Sequence, residues 1–248
     1  MKSILTAGLV LGAMSNPVYA AEIKVLSAGA VEPGLEAFAH KIKRDTGNEL
    51  KIQFNTAPQI AKRLADGEVY DILISPPPVI QQAAKDGKVV ADSRVPVGRV
   101  GAGVTVRSSA PAPNVATVDA LKQTLLAADS IVYNQASTGL YLDKLFEQMG
   151  ILEQLKPKTT RFANGAMVLE HVIKGKGNEI GFGAMTEIKQ YETKGLKLVG
   201  PLPADVQNYT SYEAALMTGG PSPDAAKEVL RQLATPGGKA AFVSGGVE

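Results

Sequence analysis

Between Glu22 and Asp86 short apolar runs alternate three times with helical periods, and this alternation most constrains the fold. Glu22–Leu26 begins with strand character and ends in Ser27-Ala28-Gly29-Ala30-Val31. Leu35, Phe38, Ala39 and Ile42 then recur at i, i+3, i+4 and i+7, one apolar face of a helix. Leu50, Ile52 and Phe54 alternate with Lys51 and Gln53, as in a strand with one buried face. Asn55-Thr56-Ala57-Pro58 leads into a helix carrying Ile60, Ala61 and Leu64. Tyr70–Ser75 is a short, nearly continuous apolar strand of the kind buried in a parallel sheet. Pro76-Pro77-Pro78 sets a rigid turn before a helix expected over Val79–Asp86. Strand–helix alternation of this kind makes a parallel sheet flanked by helices. Ligands of such sheets bind beyond the carboxyl ends of the strands. Those ends are Ser27–Val31, Asn55–Pro58 and Ser75–Pro78.

The alternation resumes after a glycine-bearing β segment, Val97–Arg107. Ile131–Tyr133 reads as a strand and Asn134–Thr138 as a polar turn. A helix opens at Ser137 or Thr138 and runs to about Met149. The first N–H groups of that helix have no partner inside it and carry partial positive charge, so the turn can seat an anion. The plainer reading of Ser137-Thr138-Gly139 is a helix cap. Asn164-Gly165 starts another helix, Asn178–Phe182 is a strand, and Ser211–Met217 returns as a strand before two terminal helices. The expected fold is therefore α/β, with two lobes, each a mainly parallel sheet flanked by helices, and a cleft between them. Residues 1–20 are expected to be a signal peptide. Residues 21–103 with 208–248 form the first lobe and 104–207 the second.

The signal reading rests on Lys2, the apolar run Ile4–Met14 and the small-residue end Val18-Tyr19-Ala20. That run is too short to span a bilayer. The product is expected to be soluble, exported, periplasmic and monomeric, with no membrane insertion after cleavage. The chain holds no cysteine, which excludes disulfides, thiolate metal sites and a thiol nucleophile. A formal charge of +2 over 248 residues, without a basic block, gives no footprint for nucleic acid. Two histidines, His40 and His171, lie on helices, and no HExxH, GxSxG or Walker loop occurs. No catalytic residue, metal site or cofactor is expected, and the chain is read as a non-enzyme. Most acidic residues are assigned to solvated helix faces.

Six motifs stand in a telling order: V-L-S-A-G-A-V, F-N-T-A-P-Q-I-A-K-R-L, Y-D-I-L-I-S, T-G-L-Y-L-D-K-L, N-G-A-M-V-L-E and N-E-I-G-F-G-A. This order resembles the type 2 periplasmic solute-binding proteins of ABC importers, in particular the molybdate-binding-protein-like group. The resemblance implies an ABC permease as partner and a small anion as ligand. It implies crossing strands near Arg99–Arg107 and Tyr209–Met217. In molybdate binders, serine hydroxyls, backbone amides and a tyrosine hold the oxyanion. Carried over by motif, the serine positions fall on Ala30 and Ala57, with Thr56 beside the second. Helix-start amides fall at Thr138, next to Ser137, and at Ala166, and the tyrosine position falls on Ala184. The side-chain donors are thus replaced by alanine, and each unmade partner of a buried oxyanion costs about 1–3 kcal/mol. A larger organic anion is expected, paired by Arg99 or, failing that, Arg161. The alternatives are a molybdate or tungstate binder, and a secreted enzyme or sensor domain on the same fold.

Overall fold

The computed structural model describes residues 20–248. The expected signal segment lies outside the described residues apart from Ala20. The chain runs β1 (Glu22–Ala28), α1 (Glu32–Thr46), β2 (Glu49–Asn55), α2 (Ala57–Ala65), β3 (Ile72–Ser75) and α3 (Pro77–Lys85). The helix α3 begins two residues earlier than expected. Pro77 and Pro78 occupy its first turn, where a missing N–H leaves no helical bond unmade, and Pro76 is its N-cap.

A single strand, β4 (Val95–Arg107), then crosses the molecule. It is followed by α4 (Val118–Ala127), β5 (Ser130–Asn134), α5 (Ser137–Gln148), α6 (Leu152–Leu155), β6 (Thr159–Phe162), α7 (Gly165–Lys174), β7 (Glu179–Ala184), α8 (Met185–Gln190) and β8 (Leu196–Pro201). The return strand β9 (Tyr209–Leu216) leads to α9 (Pro223–Leu233) and α10 (Pro236–Ser244).

The strand order is β2-β1-β3-β9-β4-β7-β5-β6, with β8 beside β4. The β1–β2 and β1–β3 pairs are parallel, as are β5–β6 and β5–β7. β4 and β9 pair antiparallel with each other and with their neighbours, so each half is a mixed sheet. The N-terminal part of β4 lies in one half and its C-terminal part in the other. β4 is the crossing expected near Arg99–Arg107, whereas β9, expected to cross back near Tyr209–Met217, pairs only with β3 and the N-terminal part of β4 in the first half.

Each half has its own apolar interior. The first buries Ile23, Leu26, Leu35, Phe38, Ile60, Leu73 and Phe242. The second buries Val104, Ile131, Tyr133, Leu142, Phe146 and Phe182, with the rings of Tyr133–Phe146 and Phe146–Phe182 edge-on at 5.9 Å. Edge-on rings at this spacing add stability beyond the area they bury. The halves also touch directly. The buried Thr186 hydroxyl of α8 donates to the Ala30 carbonyl at 2.6 Å, and α8 packs on α1. No helix among the described residues is long and apolar enough to cross a membrane.

Candidate functional site

The carboxyl ends of the parallel strands face each other across one cleft. From the first half come Ala28, Gly29, Ala30, Asn55, Thr56, Ala57 and Pro76. From the second come Asn134, Ala136, Ser137, Thr138, Gly165, Ala184 and Glu187, with Tyr212 of β9 at the boundary. The cavity left between them is about 40 Å³, space for about three water molecules. A ligand larger than this needs the lobes to part.

The start of α5 is built so that its donors stay free. Its N-cap is Ala136, which has no side-chain acceptor. Asn134, the last residue of β5, takes over that task. Its Oδ1 accepts from the N–H of Ala136 at 3.0 Å and of Gly139 at 3.3 Å. Ser137 and Thr138 are the first two helical residues. Among the described residues their N–H groups and hydroxyls have no hydrogen-bond partner. The cap reading of these hydroxyls therefore fails. The helix can come this close only because residue 139 is glycine, since a Cβ there would lie 1.7 Å from the Asn134 carbonyl oxygen.

In the first lobe, Thr56 is the N-cap of α2. Its own N–H and hydroxyl both donate to Gln59 Oε1, at 2.9 and 3.0 Å. Pro58 has no N–H, so the first free donor of this turn is the Ala57 amide. The two helix starts bring positive dipole ends to the cleft from opposite lobes, without a lysine or arginine. At α7 the Asn164 side chain caps the helix by accepting from Met167 N at 2.9 Å.

Six of the eight residues expected to bind ligand line this cleft: Ala30, Thr56, Ala57, Ser137, Thr138 and Ala184. Ala166 does not. It is exposed on α7, and Gly165, one residue earlier, faces the cleft instead. Arg99 does not either. Its backbone exchanges hydrogen bonds of 2.8 and 2.9 Å with Glu248, its Nη2 donates to Glu248 Oε2 at 3.2 Å, and its guanidinium covers the Tyr209 ring at 4.1 Å. Arg161 pairs with Asp143 at 2.8 Å, over the Tyr133 ring, outside the cleft.

Two ionisable groups in the cleft went unnoticed in the sequence. Glu187 departs from the solvated role expected of most helix carboxylates. It is the third residue of α8, a helix start, and such a side chain turns back toward the N-cap. It keeps some surface on the cleft while protein packs around the rest. Its oxygens occupy the space that Gly29 and Gly165 leave, one in each lobe. A Cβ on Gly29 would sit 3.0 Å from Oε1, and one on Gly165 would collide with Oε2. Burial, helped by the nearby Glu32 carboxyl and opposed by the Ala184 N–H, raises its pKa to about 7. Tyr212 is buried, and burial plus the Glu187 charge push its hydroxyl well above the ordinary range.

The chain matches the family of bacterial extracellular solute-binding proteins over residues 23–248, and it belongs to that family. Within it, the chain has the type 2 fold of the molybdate-binding-like group. It is 30% identical to an aconitate isomerase of Pseudomonas sp. over 253 residues, which span 97% of this chain and 95% of that protein. Among solved structures it resembles the periplasmic molybdate-binding protein of Azotobacter vinelandii, at TM-score 0.76 and 17% identity, over 91% of this chain and 98% of that one. It also resembles the sulfate-binding protein SubI of Mycobacterium tuberculosis, at TM-score 0.74 and 16% identity, over 92% and 86%.

Proposed function

We propose that the chain is an exported, periplasmic receptor that closes its two lobes on a small organic anion bearing carboxylate oxygens. It then presents the closed form to the permease of an ABC importer. One observation carries this reading: among the described residues, the unpartnered N–H groups of Ala57, Ser137 and Thr138, with two free hydroxyls, line one cleft that holds no cationic side chain. Backbone donors and helix ends suit planar carboxylate oxygens as well as tetrahedral ones. Ala30, Ala57 and Ala184 provide no hydroxyl for a fourth oxygen. Closure is a hinge motion at β4 and β9, favoured by contacts that only the bound anion makes to both lobes.

A panel of melting curves tests this. Fumarate, pyruvate, malate and the two aconitate isomers form one arm, and molybdate, tungstate and sulfate the other. A ligand at a hundred times its Kd adds about 2.7 kcal/mol of stability. For a chain of this size that is a rise of roughly 5–10 °C. The rise is expected from one or more carboxylates and not from the inorganic oxyanions. A rise with molybdate, tungstate or sulfate and with no carboxylate contradicts it.

A second reading is favoured by Glu187 and by the aconitate isomerase relative. A carboxyl titrating near neutral pH inside a ligand cleft can both give and take a proton, as general acid–base catalysis requires. On this reading the chain isomerises a small unsaturated polycarboxylate, aconitate being the first to try. Incubation with cis-aconitate, followed by proton NMR, separates the two. Appearance of the trans isomer with the wild type but not with Glu187→Gln selects the enzyme. Binding without turnover selects the receptor.

A further inference from the structure

Glu187 presents an electrostatic puzzle that the anion seat does not absorb. Helix starts from both lobes favour negative charge in the cleft, yet a carboxyl already stands there between Gly29 and Gly165. The groups around it are known from every packed element. Glu32 faces it from α1 of the opposite lobe, with Glu36 behind, and Lys194 acts on Glu32. The Tyr212 hydroxyl lies on β9. The Tyr191 hydroxyl follows α8 and also senses Glu32 and Glu170 of α7. Its own helix contributes the Ala184 N–H. Among the described residues no cation acts directly on Glu187.

We infer that Glu187 contacts the ligand directly as a neutral acid, donating its proton to a ligand carboxylate oxygen when the lobes close. This rests on the reading of the cleft as a carboxylate site and names its specificity-determining residue. The position of Glu187 between the two lobes favours the protonated form. An ionised Glu187 and an ionised ligand would meet between closed lobes at a cleft that Glu187 itself lines, with little water between them. Charge repulsion is strongest where water is excluded. Hydrogen bonds that involve an ionised partner are shorter and stronger than neutral ones, so an acid facing a carboxylate converts the clash into a contact. The elevated proton affinity of Glu187, with a pKa near 7, places the change within the working pH of an exported protein.

Binding therefore takes up a proton where Glu187 is otherwise ionised. Fumarate and pyruvate are suitable probes, since neither carries a hydroxyl nor titrates between about pH 6 and about pH 8. With a free-site pKa of about 7, affinity falls about tenfold across that interval. Calorimetry in two buffers of unlike ionisation heat should show close to one proton taken up per ligand at the upper pH. Glu187→Gln keeps the shape and an N–H donor, so it should bind at the lower pH and lose the slope.

The ligand-free protein gives an independent readout. The folded pKa is raised above the ordinary 4.5, so the stabilising proton is fully held below that value. The contribution is lost as pH rises through about 7. The wild-type melting temperature should fall relative to Glu187→Gln over this window. Equal pH slopes for wild type and variant, or binding without proton uptake, overturn the inference and leave the carboxylate reading standing. No heat from either probe, and no thermal shift from any carboxylate of the panel, overturns both.

Discussion

Replacing Gly139 with alanine is expected to destabilise the protein by about 2–3 kcal/mol and to weaken ligand binding at least tenfold. Two effects oppose each other. Alanine is the better helix former, by about 1 kcal/mol in a helix interior. Against this, its Cβ would stand 1.7 Å from the Asn134 carbonyl oxygen and 3.0 Å from Tyr133 Cδ2. The nearer atom is backbone of β5, the strand paired with both β6 and β7, so it cannot swing aside like a flexible side chain. The first turn of α5 must lift by more than an ångström. Overpacking of a rigid site typically costs 1–3 kcal/mol, occasionally more, and here the upper end applies. The clash outweighs the propensity gain. Lifting the turn also pulls Gly139 N from Asn134 Oδ1 and turns the Ser137 and Thr138 donors away from the cleft. Urea denaturation and calorimetry check the two halves. A variant as stable as the wild type would mean that α5 is not pressed on β5.

Thr138→Phe has the opposite profile. Thr138 lies at the open edge of the helix start, partly exposed, with its hydroxyl free. A phenyl ring there exceeds the cavity of about 40 Å³ and blocks the closing path of the lobes. Affinity should fall by more than about a hundredfold, which corresponds to roughly 2.7 kcal/mol. Stability should change by less than about 1 kcal/mol, since Thr138 is partly exposed and its hydroxyl has no hydrogen-bond partner to lose among the described residues. Unchanged affinity would remove the turn from the site.

These two neighbouring residues mark how far the sequence could be read. The helix start at Ser137 follows from local chemistry: an apolar strand, a polar turn, then a 3.6 period. That its hydroxyls are free follows from Asn134 reaching forward to Ala136 and Gly139, a tertiary detail. Ala30, Ala57 and Ala184 are reached through the motif resemblance, and each lies at or within two residues of the carboxyl end of β1, β2 or β7, where the fold brings the lobes together. Ala166 was placed one residue late, because the choice between the first and second helical residue depends on the cap geometry at Asn164. Arg99 misled for a different reason. Its partner is Glu248, at the far end of the chain, and no local pattern shows that the last residue pairs with β4. Glu187 is hard to read because the sequence does not fix where α8 begins. At the third position of a helix an acidic side chain folds back toward the N-cap, whereas farther along it points mostly to solvent. The alanines reveal what the cleft has lost. The group placed among them comes from a position that the motif comparison does not cover.

A crystal structure grown with the carboxylate that raises the melting temperature most tests the central claim most directly. The account predicts the ligand between the lobes, its oxygens within hydrogen-bond distance of the amides of Ala57, Ser137 and Thr138, and one of them against Glu187. A ligand bound elsewhere on the chain, or one held in the cleft by side-chain cations with those amides unengaged, would contradict it.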